Sequence, residues 1–389
     1  MNKKTKMIVL IILSVLLIAE LGILAYRFAT KPEKTPETVA PTQAATEAPT
    51  EAPTEAPTEA PTEAPTEAPT EAPTEAPTEP PVLYTNPLTG EALDQPHETR
   101  IFAVTINNVA DALPHVGTMD ADIIFEMYIN GYATRGLALF TDIREAETVG
   151  SVRSWRYNFT DIAQAYDAFA CHAGSSAVVR SDTKRAGIDN YNIDTKNKTS
   201  YSFRDKTRNN SGYKWEHCLF LKGEGIYELA KKNNTRVTMD PEKQYSLNFA
   251  QDGTPAGGET ANRIDLTFRI SSRTKLTTMT YQEELGKYIW TQYGAEASSV
   301  KQEEQETFEN VFILLADVKT DSNGYHVANL EGTGDGYFAC GGKIIPIKWI
   351  HENATDDFSF TLADGTLLVQ GVGNSYIGIC PLKSTVEWE

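Results

Sequence analysis

Residues 149–176, VGSVRSWRYNFTDIAQAYDAFACHAGSS, contain two polar clusters separated by a helical pattern and a strand-like pattern. Four hydrophobic residues recur at i, i+3, i+4 and i+7, the spacing of one helical face: Phe159, Ile162, Ala163 and Tyr166. The short apolar run 168–171 that follows is typical of a buried strand. A helix that leads directly into a buried strand indicates an α/β fold for this part of the chain.

The two polar clusters lie where such folds place their ligands. Arg153 and Arg156 precede the predicted helix, and His172 and Ser175 follow the predicted strand. Open α/β sheets bind ligands beyond the carboxyl ends of their strands. The clusters therefore predict a functional site, although these residue types do not by themselves specify a reaction.

The patterns on either side of this stretch divide the globular part into two segments. Strands alternate with helices over residues 84–235, which predicts an α/β N-terminal domain. Over residues 260–385, short apolar runs are separated by Asn-Gly, Asp-Gly and other glycine-rich turns. Such turns are typical of hairpins, so we expect a mostly β C-terminal domain.

Residues 1–28 predict a membrane anchor. Residues 7–26 are an almost continuous aliphatic run, long enough to cross a hydrocarbon core of about 30 Å. Three lysines precede this run, which places the N-terminus in the cytoplasm and the rest of a single-pass protein outside the cell. A cleaved signal peptide is the alternative, but residues 24–29 fit a small-residue cleavage site poorly.

Residues 29–82 predict a disordered stalk. The tetrapeptide Glu-Ala-Pro-Thr occurs eight times between Glu47 and Thr78, and a proline at every fourth position excludes both helix and sheet. At ~3.1 Å per residue, a polyproline II segment of this length reaches roughly 150 Å. We expect the stalk to hold the globular part away from the membrane, in or beyond the cell wall.

The acidic composition argues against one class of partner. The net charge is −18, and the nine glutamates of residues 47–79 supply half of it. Nucleic acids are usually bound by basic surfaces, so we expect no nucleic-acid partner. No Cys/His set has zinc-binding spacing, and the glycines of residues 332–336 lack the helix that follows a dinucleotide-binding loop. We therefore predict neither a metal nor a cofactor.

The four cysteines permit two interpretations. Outside the membrane they can form disulfides, and four cysteines allow three connectivities. Pairing within each segment, Cys171 with Cys218 and Cys340 with Cys380, is the disulfide hypothesis. Buried free thiols, which pack like small hydrophobic groups, are the alternative.

Each charged candidate of the first segment has a functional and a structural interpretation. Arg153 and Arg156 are suited to clamp a carboxylate or a phosphate, or they pair with acidic residues of the same chain. Glu126 interrupts the apolar run 123–129. A carboxylate there needs a cationic partner, for which Arg135 is nearest in sequence, or it acts as a general acid or base.

The histidines permit the same choice. His172 with the nearby Ser175 is a candidate base and nucleophile, but no Gly-x-Ser-x-Gly elbow is present. Orienting a ligand or capping a helix is the alternative role for this pair. Asp205 and His217 lie in or beside a long polar segment, residues 189–216, and either complete the site or belong to ordinary solvated surface.

Several motifs occur in the order found in the YerB-like lipoproteins of Gram-positive bacteria, and the sequence resembles that family over about residues 84–385. The motifs are Asn86-Pro87-Leu88-Thr89-Gly90, Ala103-Val104-x-Ile106-Asn107-Asn108, Ala121-Asp122-Ile123 to Glu126, Thr134-Arg135, Ala138-Leu139-Phe140, Gly150-x-Val152-Arg153-Ser154-x-Arg156, His172-Ala173-Gly174, Phe203-Arg204-Asp205, Asp335-Gly336 and Lys348-Trp349. The resemblance implies two domains of unknown function and a cell-surface location. It implies no catalytic residue.

Two features depart from the family pattern. The lipid-bearing cysteine after the signal is missing, because the first cysteine is Cys171, so the resemblance implies that the transmembrane segment replaces the lipid. Where the family tends to have Pro-His-Asn before Leu-Tyr, this chain has Glu216-His217-Cys218-Leu219-Phe220. If that asparagine binds a ligand in relatives, its replacement by cysteine changes the site here.

The leading hypothesis is an extracytoplasmic protein that binds an anionic cell-envelope ligand, such as a wall polymer, or an envelope protein. The predicted ligand-binding residues are Glu126, Arg135, Arg153, Arg156, His172, Ser175, Asp205 and His217. The alternative is a cell-wall-modifying hydrolase or transferase with His172 or Glu126 as general base. A third possibility is a structural adhesin that uses the C-terminal sheet. The sequence leaves open whether the protein is an enzyme.

Overall fold

The structure, a computed structural model, describes residues 84–389 except 132, 195–199, 271, 273 and 294–305. The predicted membrane anchor and stalk, residues 1–82, lie outside the described residues, so both stay predictions. Among the residues that are described, no helix combines the length and the apolar character needed to cross a membrane.

The first segment alternates strands with α-helices only from residue 157 onward, so the predicted α/β pattern holds in part. Its strands are β1 Tyr84–Thr85, β2 Ala92–Leu93, β3 Phe102–Ile106, β4 Ile123–Asn130, β5 Ala133–Phe140, β6 Val149–Gly150, β7 Phe169–His172, β8 Asn190–Asn192, β9 Ser202–Arg204 and β10 Leu219–Leu221. Its helices are α1 Tyr157–Ala165, α2 Ala177–Arg185, α3 Lys206–Asn210 and α4 Gly223–Lys232, with 3-10 turns at Ala110–Ala112, Ile143–Glu145 and Trp215–His217.

Local signals explain where α2 begins and ends. The Ser176 hydroxyl accepts a hydrogen bond from the Val179 amide at 3.4 Å, which satisfies one of the free amides of the first turn. Gly187, just beyond the last turn, has φ of +72°, a conformation that glycine adopts without steric cost. Both residue types are typical start and stop signals of a helix.

The second segment is built from strands, as predicted. They are β11 Phe249–Ala250, β12 Glu259–Thr260, β13 Arg263–Arg269, β14 Thr274–Gln282, β15 Lys287–Gln292, β16 Thr307–Phe308, β17 Asn310–Ala316, β18 Val318–Thr320, β19 His326–Ala328, β20 Gly332–Cys340, β21 Lys343–His351, β22 Ser359–Thr361, β23 Gln370–Gly371, β24 Ser375–Pro381 and β25 Thr385–Trp388. In β13 every second residue is buried, which matches the alternation in the sequence.

Strands of both segments form one central sheet. Within the described ranges its order is β12-β21-β20-β17-β24-β4-β5-β3-β7-β8, with β22 beside β21. The strand β24, near the C-terminus, lies parallel to both β17 and β4. All seven residues of β24 are buried, as expected for a strand that is covered on both faces. The two segments therefore share a sheet, which separate sequence patterns do not reveal.

The two faces of the central sheet are covered differently. A second sheet, β16-β15-β14-β13-β25, packs on one face, where Tyr128 meets Phe268 with ring centroids 5.8 Å apart. Helix α1 packs on the other face through Phe159, which belongs to the same apolar cluster as Phe125 and Met127. Alternate residues of β4 and β5 thus point either toward the second sheet or toward α1.

The disulfide hypothesis is wrong, because Cys171, Cys218, Cys340 and Cys380 are all buried free thiols. Cys340 on β20 and Cys380 on β24 are separated by the whole strand β17, or about 10 Å of sheet. Cys171 and Cys218 belong to or adjoin strands of two different sheets. A disulfide needs Cα atoms within about 7 Å. Two cysteines of the same segment are not brought that close merely because they belong to that segment.

Candidate functional site

The two polar clusters of residues 149–176 meet in the structure. The backbone before α1 runs beside the ends of β3 and β7. The Arg153 amide donates to the Thr105 carbonyl at 3.2 Å, and the Ala173 amide donates to the Arg153 carbonyl at 2.9 Å. The Trp155 amide then donates to the Gly174 carbonyl at 2.9 Å. Backbone hydrogen bonds therefore hold the arginine segment against the turn that carries His172.

Three arginines gather at the start of α1, and we call Arg135, Arg153 and Arg156 the arginine cluster. Arg135 reaches it from β5, is 4% exposed, and donates from Nη1 to the Ser154 carbonyl at 2.7 Å. Burial, together with the charges of Arg156 and Arg153, holds the pKa of Arg135 well below its usual value. Burial also lowers the pKa of Arg156. The site thus concentrates positive charge where little water reaches it.

Little negative charge offsets this cluster. Arg153, 29% exposed, has a carboxylate partner in Glu216 at 3.5 Å, and that glutamate is 53% exposed. Arg156 donates to the Trp155 carbonyl and lies over the Tyr325 ring, 5.1 Å from its centroid. In the described part of the chain, the Nε atoms of all three arginines are buried without a hydrogen-bond partner. Burying unpaired charge is costly, so this arrangement is suited to an anion that binds from outside.

The start of α1 adds further anion-binding capacity. Arg156 is its N-cap residue, and among the described residues no side-chain hydrogen bond caps this end of the helix. The first amides of a helix have no partner within the helix, and the helix dipole places partial positive charge there. Free amides beside arginines are a common anion-binding arrangement. By contrast, the first turn of α2 is capped by the Ser176 hydroxyl.

His172 is held by protein atoms at both ring nitrogens. Its Nδ1 donates to the Gly174 carbonyl at 3.0 Å, and its Nε2 lies 3.2 Å from the side-chain oxygen of Asn190. Burial lowers its pKa. Among the described residues no hydrogen bond joins His172 to Ser175, whose carbonyl instead accepts from Arg180. This geometry suits a residue that orients the turn, and it leaves no ring nitrogen free to take a substrate proton.

His217 lies beside the arginine cluster. Its Nδ1 accepts from the Asn107 amide at 2.7 Å, so the neutral ring carries its proton on Nε2, which is 3.9 Å from a Glu216 oxygen. Burial lowers the pKa of His217, and the charge of Arg153 lowers it further. The side chain therefore contributes a neutral N–H donor next to Arg153.

Glu126 pairs with Lys275 instead of Arg135, and both partners are fully buried at 2.5 Å. The register explains why the predicted pairing with Arg135 is wrong. Glu126 lies opposite Gly136, whereas Arg135 lies opposite Met127. Neighbouring residues of a strand point to opposite faces, so Glu126 faces the second sheet and Arg135 faces α1.

A polar network surrounds this buried pair. Glu126 accepts hydrogen bonds from side chains of both segments: Asn108 at 2.9 Å, Thr134 at 2.6 Å, Thr277 at 3.0 Å and Tyr376 at 2.7 Å. Lys275 also donates to Gln292 at 2.9 Å. A fully hydrogen-bonded pair that solvent does not reach is a structural connection between the segments, not an accessible acid or base.

Asp205 is a helix cap. Its carboxylate accepts from the amides of Thr207 at 2.8 Å and Arg208 at 3.1 Å, which explains why α3 begins there. The structure therefore brings together Arg135, Arg153, Arg156 and His217, places His172 in the adjoining turn, and puts Glu126 on the other face of the sheet. Ligand binding by any of them stays a prediction.

Sequence reasoning missed two neighbours of these groups. Tyr325 follows the turn of residues 321–324, which the sequence predicts only as a hairpin turn. Lys275 occupies a β-strand position with no local sign of burial, since its partner Glu126 is 149 residues away. Neither residue has a motif in its own neighbourhood, so no local signal was available.

The fold and the site together define a two-domain protein with few helices, a mostly β C-terminal part and an arginine-lined site in the N-terminal part. The family described as "Protein of unknown function (DUF3048)" matches with its N-terminal domain over residues 88–236 and with its C-terminal domain over residues 264–377. The chain belongs to this family.

The resemblance to YerB-like proteins is confirmed. The chain is 26% identical over 299 residues to the protein named "Putative lipoprotein YerB" of Bacillus subtilis (strain 168), which covers 76% of this chain and 86% of that protein. A crystal structure of YerB protein from Bacillus subtilis matches with a TM-score of 0.65 at 23% identity, covering 78% of this chain and 99% of that one. The structural likeness shows the fold.

Proposed function

We propose that this protein binds an anionic ligand of the cell envelope at the arginine cluster. The observation that carries the proposal is Arg135, a buried guanidinium with no carboxylate partner among the described residues. The chain is rich in aspartate and glutamate, yet among the residues that the structure describes only the half-exposed Glu216 offsets the cluster. An external anion would supply the missing charge and the missing hydrogen-bond acceptors.

The location is part of the proposal. The Bacillus subtilis relative is named a lipoprotein, which supports attachment to a membrane on its outer side. In this chain we assign the attachment to residues 7–26 and the spacing from the membrane to residues 29–82. A wall polymer or an acidic envelope protein would then lie within reach of the cluster.

The alternative, a wall-modifying hydrolase or transferase, has less support from the geometry. Both ring nitrogens of His172 are engaged by protein groups, and Glu126 is fully buried against Lys275. A general base needs contact with the proton that it removes. Binding is therefore the function that the site supports best.

Retention of the full chain on purified cell-wall fractions tests the proposal. We expect salt-sensitive retention that weakens about tenfold in Arg153→Gln, because a charge-assisted contact is lost. Arg263→Gln is a matched control, since Arg263 is 45% exposed and also has one acidic partner, Asp265. Equal retention of all three proteins on every fraction would contradict the proposal.

Mass spectrometry of the same supernatants tests the alternative. Binding without chemistry predicts no new soluble fragments. Fragments that appear with the full chain and disappear with His172→Ala would make the protein an enzyme. If the chain is not retained and no new fragments appear, a structural role for the C-terminal sheet is favoured.

A further inference from the structure

The charges at the arginine cluster do not balance. Arg135, Arg153 and Arg156 contribute three positive charges, and Glu216 is the one carboxylate within ion-pair distance of them in the described part of the chain. His217 is neutral when its ring carries only the Nε2 proton. Two positive charges thus remain without a counter-charge. A carboxylate or a phosphodiester would cancel one of them, whereas a phosphomonoester carries about −1.5 to −2 at pH 7.

The donors also approach from several directions. Arg135 comes from β5, Arg153 from the segment before α1, and Arg156 from the helix start itself. The uncapped amides of α1 and the Nε2 proton of His217 lie at the edges of the cluster. A carboxylate offers two oxygens in one plane, while a terminal phosphoryl group offers three acceptor oxygens around a tetrahedral centre. Donors that come from three different chain segments suit a tetrahedral group better than a planar one.

We infer that the ligand, if bound as proposed above, is recognised through a terminal phosphoryl group, as in a phosphomonoester, in preference to a carboxylate or a phosphodiester. This inference rests on the proposed function and names its ligand chemistry. The phosphoryl group belongs either to a lipid headgroup or to a soluble or glycan-borne phosphate. Both sources present the same dianionic group to the three arginines.

Calorimetric titration of the full chain in detergent tests the inference with three small probes: glycerol 3-phosphate, glycerophosphoglycerol and acetate. We expect glycerol 3-phosphate to bind at least about tenfold more tightly than the phosphodiester or the carboxylate, since only it matches the surplus charge. Arg153→Gln and Arg156→Gln should each weaken it about tenfold, and Arg263→Gln should not. Circular dichroism of each variant checks that the fold is kept.

The outcomes separate this inference from the proposed function. Equal affinity for the three probes, with loss in Arg153→Gln, would overturn the phosphoryl preference while anion binding at the cluster stands. If wall retention depends on Arg153 but glycerol 3-phosphate does not bind, the phosphoryl preference is also overturned while anion binding at the cluster stands. If none of the three probes binds and Arg153→Gln leaves wall retention unchanged, both the phosphoryl preference and the proposed anion binding are contradicted.

A fourth probe identifies the source of the phosphoryl group. Dihexanoyl phosphatidic acid carries the same phosphomonoester on a short lipid. Tighter binding of this lipid than of glycerol 3-phosphate supports a lipid headgroup. Equal binding supports a soluble or glycan-borne phosphate. Weaker binding than that of glycerophosphoglycerol would count against the inference.

Discussion

Arg135 shows how a single residue can support a functional proposal that its motif does not suggest. Arginine remains charged even when buried, so its burial requires a partner. In this molecule the nearby groups are a carbonyl oxygen, two more arginines and an aromatic ring. Arg135 is thus placed like one partner of an ion pair, and the proposed external anion would be the other partner.

Glu216→Gln should strengthen anion binding. The change removes the carboxylate that competes with a ligand for Arg153. Because Glu216 is half-exposed, we expect a modest effect of about two- to fivefold, seen as elution from the wall fraction at higher salt. Glu228→Gln is the matched control, since Glu228 is equally exposed and pairs with Lys231 on α4. Weaker retention of Glu216→Gln than of the control would argue that Glu216 contacts the ligand.

Asp161→Asn should stabilise the protein at pH 7.5. Burial, aided by Asp182, raises the pKa of Asp161 to about 6 from 3.8, so the folded state favours the protonated form. Above pH 6 the folded state carries a disfavoured charge, and the penalty disappears as the pH falls from about 6 toward 3.8. We expect a gain of roughly 1–2 kcal/mol at pH 7.5 and little gain near pH 4, measured by urea unfolding. A gain that does not depend on pH would contradict this explanation.

At the scale of elements, β14 and β4 are joined by the Lys275–Glu126 pair across two sheets. Lys275→Met leaves Glu126 buried without its cation, which typically costs about 3–5 kcal/mol. The double variant Lys275→Met with Glu126→Gln should recover part of that loss, because the unpaired charge is gone. Chemical denaturation of the single and double variants measures the coupling. A loss in Lys275→Met under about 1 kcal/mol would argue against a structural ion pair.

Helices α1 and α2 illustrate what local sequence predicts about elements. The i, i+3, i+4, i+7 pattern predicts α1, and Ser176 with Gly187 predicts the ends of α2, since these signals act between near neighbours. The open N-terminus of α1 is equally local, because Arg156 occupies the cap position. Local sequence does not predict that Arg135 lies near the N-terminus of α1. It depends on the pairing of β5 with β3 and β4.

At the scale of the whole molecule, the two segments should fold as one unit. Removing the second segment removes β24 and leaves β4 as an exposed, apolar edge. A fragment of residues 84–250 should therefore aggregate or lack a cooperative thermal transition, whereas the full chain should show one for both segments. Calorimetry and gel filtration of the two proteins distinguish these results. A fragment that melts cooperatively as a monomer would show that the first segment is independent.

The limits of sequence reasoning differ between the fold and the candidate site. The mostly β second segment follows from turn composition, and the structure confirms it, whereas the first segment has fewer helices than the predicted alternation implies. The shared sheet was not predictable, because β24 and β4 are separated by about 250 residues and nothing in either strand identifies its neighbour. The cysteines of each hypothesised pair are closer in sequence, but their placement also depends on strand order, which the sequence does not reveal.

The sequence alone indicated helix α1, the ends of α2, the mostly β second segment, the family, and the two polar clusters near residues 149–176. These features depend on side chains a few positions apart. Only the tertiary structure decided that Glu126 and Arg135 face opposite sides and that Lys275 neutralises Glu126. It also decided that Arg135 joins Arg153 and Arg156 with no carboxylate partner of its own in the described part of the chain. The physical reason is strand register, since a shift of one residue reverses the face of a side chain and so changes its partners.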